Sequence, residues 1–189
     1  MKKIVIRFNA PVILTFALLS LLALLLGNWT NGATTYQYFS VYRASLSDPL
    51  TYVRFFGHVL GHADYEHYMS NMLLILLVGP GLEEKYGRGT MVWTIAVTAL
   101  VTGLVYFVFF PGSVLLGASG VVFMMIVLSS FTAMRRGEIP ITLILVVIFY
   151  LGGEIMDGLF KQDSISQITH IVGGLCGLVF GFTIRRSRR

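Results

Sequence analysis

The sequence predicts an all-α, polytopic membrane protein with six spanning helices in a single domain, residues 1–189. Three observations carry this. Of 189 residues, 56% are hydrophobic and only 12% charged, and mean hydropathy is +0.78, more apolar than a water-facing surface accommodates. The charged residues fall in short clusters between long apolar runs. The basic excess, a formal net charge of +5, lies at the ends of those runs, where membrane topology accounts for it without a nucleic-acid partner.

The first run, 10–27, follows Lys2, Lys3 and Arg7 and has no small-x-small cleavage site after Leu26, so it reads as a retained helix rather than a removed signal. Further runs cover 67–82, 91–110, 115–134, 139–158 and 166–184. Residues 28–66 form a polar and aromatic segment too long to be a simple link between helices. Within it the sequon Asn28-Trp29-Thr30 is read as incidental. Cys176, the single cysteine, is embedded in an apolar run and is expected to pack as a small hydrophobe.

Six spans place both termini on one side, and charge selects the side. Lys2, Lys3, Arg7, Lys85, Arg88, Arg135, Arg136, Arg185, Arg186, Arg188 and Arg189 share one face, and only Arg43, Arg54 and Lys161 the other. That asymmetry predicts cytoplasmic termini, an outward-facing 28–66 segment and residence in the plasma (inner) membrane.

This orientation brings three polar residues to one depth. Ser119 precedes Arg135 by 16 residues, His170 precedes Arg185 by 15, and Asn71 precedes Lys85 by 14. At about 1.5 Å per residue these separations are roughly 24, 22 and 21 Å. In a hydrocarbon core of about 30 Å all three lie less than about 10 Å below the outer surface.

A serine hydroxyl attacks only when a base takes its proton, and histidine is the usual base near neutral pH. Ser119 and His170 form the candidate pair. An acyl-transfer intermediate also needs donors aimed at its oxyanion. His67 and Asn71, spaced i, i+4, share one helix face. Gly117 and Gly120 clear the surroundings of Ser119 for close backbone approach, and Phe123 lies one turn below, placed to pack against an imidazole. Gly173, Gly177 and Gly181 make a close-packing stripe that would carry the sixth span, with His170, against the fourth.

Each residue has a plainer reading. A serine in a membrane helix commonly bonds back to its own carbonyls or lines a small-residue interface, and a lone buried histidine can be a structural hydrogen-bonder. His58, His62 and His67 raise a metal site, but no cysteine or acid stands at a recognised ligand spacing and HExxH is absent. Glu154 and Asp157, i, i+3 near the outer end of span five, suit a hydrated helix end, a pairing with Lys161 or Arg54, or a triad acid.

Taken together these motifs resemble the rhomboid intramembrane serine proteases in their minimal six-helix form. His62-x4-His67-x3-Asn71 is similar to the second-helix signature, Gly81-Leu82-Glu83 through Gly87 to the end of that helix, Gly117-Ala118-Ser119-Gly120 to the nucleophile motif, and His170-x2-Gly173-x3-Gly177 to the sixth-helix motif. The resemblance implies a Ser119–His170 dyad without an acid. It also implies an oxyanion site of His67, Asn71 and the Ser119 N–H, and a partly membrane-embedded 28–66 loop bracing the bundle between helices 1 and 2. Two positions depart from the family pattern. The loop's usual Trp-Arg pair reads Val53-Arg54, and the aromatic after the nucleophile, often tyrosine, is Phe123.

The leading expectation is therefore an endopeptidase that needs neither cofactor nor metal and cuts transmembrane segments of single-pass or other membrane proteins. Its water would arrive through a cavity lined by His62, His67 and Asn71, with the active site open to the outer face. The alternative is a non-catalytic rhomboid-like protein that binds or escorts membrane proteins. A small transporter ranks last, because no internal repeat or pair of broken helices is visible.

Overall fold

The structure, a computed structural model, describes residues 8–133, 138–152 and 164–184. Among these residues it is helical apart from connecting segments and one isolated antiparallel bridge, Val41 with Leu115. α1 (Pro11–Trp29) opens with Pro11 at its first turn, where the missing N–H is no loss. Its N-cap, Ala10, has no side-chain hydrogen bond. The cap comes from afar: the buried carboxylate of Glu83 accepts from the N–H groups of Val12 (3.2 Å) and Ile13 (3.1 Å). A negative charge there also meets the positive end of the α1 dipole.

The 28–66 segment folds into α2 (Ala33–Tyr38), α3 (Pro49–Gly57) and a 3-10 turn, His58–Leu60. Asp48 caps α3 through the Leu50 N–H. Arg54, almost fully buried, ties the loop together. It donates to the carbonyl of Gln37 (2.9 Å), pairs with Asp48 (3.1 Å) and lies over the ring of Tyr42. Arg43 in turn reaches the carbonyl of Phe107.

α4 (Tyr65–Tyr86) is longer at both ends than the expected 67–82. Asp64 caps its start through the His67 N–H (2.7 Å), and the helix runs on through the charged residues Glu83, Glu84 and Lys85. Gly87, at φ +88°, ends it and lets α5 (Arg88–Phe109) begin at the next residue. α1 and α5 are the two helices among the described residues that are long and apolar enough, taken singly, to cross a membrane.

The fourth run differs from its expected 115–134. Its helix, α6, spans Ser119–Ser130 and passes into a 3-10 turn, Phe131–Ala133. Residues 115–118 are withheld from it because Leu115 pairs with Val41 in both directions, each bond 2.8 Å. Buried on nearly every side from Gly120 to Leu128, α6 is the central helix. Lys85 holds the turn that follows it through the carbonyl of Thr132. α7 (Ile141–Val146) continues as a π turn, Val147–Leu151. The remainder of the expected 139–158 span, with Glu154 and Asp157, lies outside the described residues, as does Lys161. α8 (Ser164–Thr183) closes the fold.

α6 and α8 pack backbone against backbone. A Cβ on Gly173 would stand 2.1 Å from the carbonyl oxygen of Gly120, and one on Gly177 2.5 Å from that of Met124. Only hydrogen at these positions lets the two backbones touch. Leu18, Leu22 and Leu25 of α1, Leu73 and Leu77 of α4, and Val179 and Phe182 of α8 remain exposed, an apolar exterior suited to lipid rather than water.

Candidate active site

Ser119 is the first residue of α6. Its N-cap, Ala118, offers no side-chain acceptor, and the first helical bond runs from the Val122 N–H to the Ala118 carbonyl (2.9 Å). The amides of Ser119, Gly120 and Val121 therefore have no partner within the helix, and they gather at its positive end. The chain leading into Ser119 is hung from two other elements. Leu115 is bridged to Val41, and the Gly117 N–H donates to the His58 carbonyl (2.9 Å). The His58 ring is itself fixed to α5 through Nε2 and the Ala99 carbonyl (3.0 Å).

The second contribution comes from the first turns of α4. His67 follows the Asp64 cap, and Asn71 stands one turn further along. The Asn71 carboxamide donates one N–H to the His67 carbonyl (2.9 Å), leaving its second N–H for another acceptor. The His67 ring abuts Gly117: a Cβ there would lie 2.8 Å from both Cε1 and Nε2. Gly117 also has φ +123°, a conformation L side chains resist.

α8 brings the third. With Gly173 seated on Gly120, the residues one turn back on α8 and one turn on along α6 come face to face. The rings of His170 and Phe123 stack with centroids 4.2 Å apart and planes 6° from parallel. Phe123 and Ser119 are i, i+4 on α6, so the imidazole is held on the serine's side of that helix. Thr169 packs beside Gly120.

These elements enclose a cavity of about 680 Å³, lined among others by Ser119, His170, His67, Asn71, Phe123 and Ser113. A hydroxyl, two imidazoles, a carboxamide and a helix N-terminus thus face one space. A hydroxyl, an imidazole held by ring stacking and further hydrogen-bond donors around one cavity are groups of the kind acyl transfer uses.

His62 stands elsewhere. The sequence places it beside His67 and Asn71 on the water path; its ring packs edge-on against that of His67, with centroids 5.0 Å apart, and it is not among the residues lining this cavity. Its Nδ1 donates to the Leu60 carbonyl, and it lines a second cavity of about 470 Å³ near the end of α1 and α2. His62 precedes α4, whose first residue is Tyr65, and so does not share the helix that carries His67 and Asn71. Arg54 and Glu83 are also remote from the cavity: the first ties the outer loop to itself, the second caps α1. Arg54 is engaged with Asp48 and Tyr42 of its own loop; Glu154 and Asp157, raised as its partners by the sequence, lie outside the described residues. Among the described residues no three His, Cys, Asp or Glu side chains gather as a metal site would. The contribution of His58 through its carbonyl went unread in the sequence, because a main-chain acceptor leaves no side-chain signature.

Residues 49–187 match a family model described as the Rhomboid domain. The chain belongs to the rhomboid family. Every residue of the cavity named above lies within the matched rhomboid region. The chain is 32% identical over 142 residues to Rhomboid-related protein 1 of Caenorhabditis elegans, an alignment covering 69% of this chain and 39% of that protein. It is 27% identical over 173 residues to Rhomboid-related protein 2 of Mus musculus, covering 78% of this chain and 56% of the relative. It thus spans well under two thirds of either relative's length. As a rhomboid it is an integral, polytopic membrane protein, which accounts for the apolar exterior of the bundle.

Proposed function

We propose that this rhomboid is an intramembrane serine endopeptidase, with Ser119 as nucleophile and His170 as base and then acid. The observation that carries the reading is the shared cavity: Ser119 at the bare N-terminus of α6, the Phe123-stacked His170, and His67 with Asn71 line one space of about 680 Å³. The Ser119 oxygen attacks a peptide carbonyl carbon while its proton passes to the His170 imidazole. The carbonyl oxygen, now negative, takes hydrogen bonds from the Ser119 N–H, the spare Asn71 N–H and His67. The C–N bond then breaks and His170 hands its proton to the leaving amine. Water, deprotonated by His170, cleaves the acyl-serine, and the proton returns to Ser119.

The substrates are transmembrane segments of other membrane proteins. A helical segment must unwind locally before it presents a carbonyl, because its amides are already hydrogen-bonded. We read the whole chain, 1–189, as one membrane domain of six spans, with both termini cytoplasmic in the plasma (inner) membrane and the cavity open to the outer face, as the basic-residue asymmetry supports. Gly117, Gly120, Gly173 and Gly177 support the site by close packing. Arg54 and Glu83 support it at a distance by bracing the outer loop and α1.

The test is a fluorophosphonate probe on purified protein, with cleavage of a transmembrane reporter alongside. Labelling and cleavage that vanish in both Ser119→Ala and His170→Ala support the peptidase. Wild-type protein that neither labels nor cleaves, yet captures membrane proteins, would instead make it a non-catalytic binder.

A further inference from the structure

A third cavity, between α1 and α5, has a different chemistry. Its volume is about 510 Å³ and its walls are almost wholly apolar. Val12, Phe16 and Leu19 of α1 form one wall, at helical spacing on one face. The facing wall is a stripe on α5: Arg88, Val92, Ala96 and Ala99. Both helices start at the same end of the bundle, where Glu83 caps α1 within 3.9 Å of Arg88. Phe56 and Leu60 of the outer loop close the other end.

From Arg88 to Ala99 the stripe advances eleven residue steps, about 17 Å at 1.5 Å per residue. One leaflet's share of the hydrocarbon core is about 15 Å. The slot therefore runs from a membrane surface to the midplane, the length of one acyl chain. One cation stands at its mouth. The Arg88 side chain is 73% exposed, while the carboxylate of Glu83 is turned inward onto the α1 amides.

We infer that this slot is a binding site for an anionic phospholipid, one acyl chain lying between α1 and α5 and the phosphodiester paired with Arg88. A guanidinium presents paired donors that match phosphate oxygens, and an acyl chain is the apolar rod the walls can cover. The inference requires only that the chain spans a bilayer, and it is independent of the chemistry at Ser119.

Native mass spectrometry of the detergent-purified full chain, titrated with phosphatidylglycerol or phosphatidylcholine of the same acyl chains, tests it. Wild type should retain one phosphatidylglycerol in preference to phosphatidylcholine. Arg88→Gln should weaken that preference by about fivefold, as expected for one basic side chain at a charged surface, and Arg88→Lys should keep most of it. Ala96→Trp, which fills the slot, should lose the retained lipid altogether. Equal retention of the two lipids by wild type, or a preference untouched in Arg88→Gln, would overturn the inference; should Ala96→Trp fail to fold, Arg88→Gln decides alone. Fluorophosphonate labelling run on the same samples reports separately on Ser119.

Discussion

The imidazole of His67 fills the space that a side chain on residue 117 would need: a Cβ built on Gly117 would stand 2.8 Å from two of its ring atoms, on a backbone at φ +123°. Any substitution must push back the proposed oxyanion donor, distort the turn entering Ser119, or do both. Gly117→Ala is expected to lower fluorophosphonate labelling by about 100-fold, the scale of a misplacement near 1 Å in a catalytic constellation. Wild-type labelling by Gly117→Ala would show that His67 does not act from this position.

The Phe123–His170 stack makes a graded prediction. Parallel rings 4.2 Å apart contribute about 0.5–1.5 kcal/mol beyond area burial. Phe123→Ala should therefore slow labelling by up to about tenfold through loss of base positioning, whereas Phe123→Tyr, which keeps the ring, should remain close to wild type. Equal rates for the two variants would mean the stack does not orient the base.

At the α6–α8 contact, glycine identity should matter far more than at exposed glycines. Gly173→Ala places a methyl 2.1 Å from the Gly120 carbonyl, so α8 must move and carry His170 with it. Loss of activity together with a lower Tm is expected. Gly89→Ala is the contrast. Nothing lies within 4 Å of that position in α5, and alanine there should raise stability by up to about 1 kcal/mol. Thermal unfolding in one detergent compares the two directly.

Glu83 should prove to be a stability residue rather than a catalytic one. Glu83→Ala removes two charge-assisted bonds to the start of α1, a loss of about 2 kcal/mol. Arg88→Gln should change stability little, because that pair is 3.9 Å apart and its guanidinium is solvated. Thermal denaturation should rank the two in that order, and labelling of the folded fraction of Glu83→Ala should match wild type. A folded Glu83→Ala protein that fails to label would place Glu83 in the site's chemistry instead.

Much of this was readable along the chain. The hydropathy that declared a helical membrane protein is a local property, summed over a window and needing no partner. Counting residues to the nearest basic cluster leads one to expect Ser119, His170 and Asn71 at one level, and all three line one cavity. The i, i+4 spacing of His67 and Asn71 and the glycine stripe of α8 are likewise periodic signals on single helices.

Four things were decided by tertiary structure alone. Glu83 caps α1 from 71 residues away, Arg54 finds Asp48 and Tyr42 within its own loop, and Gly117 hangs from the His58 carbonyl. The fourth is where α6 begins, at Ser119 rather than at the start of its apolar run, because Leu115 is pinned to Val41. Backbone amides and carbonyls look alike at every residue. Which of them meet, once water is excluded and every buried polar group must find a partner, depends on packing that brings distant segments together, so no local window of sequence could carry it.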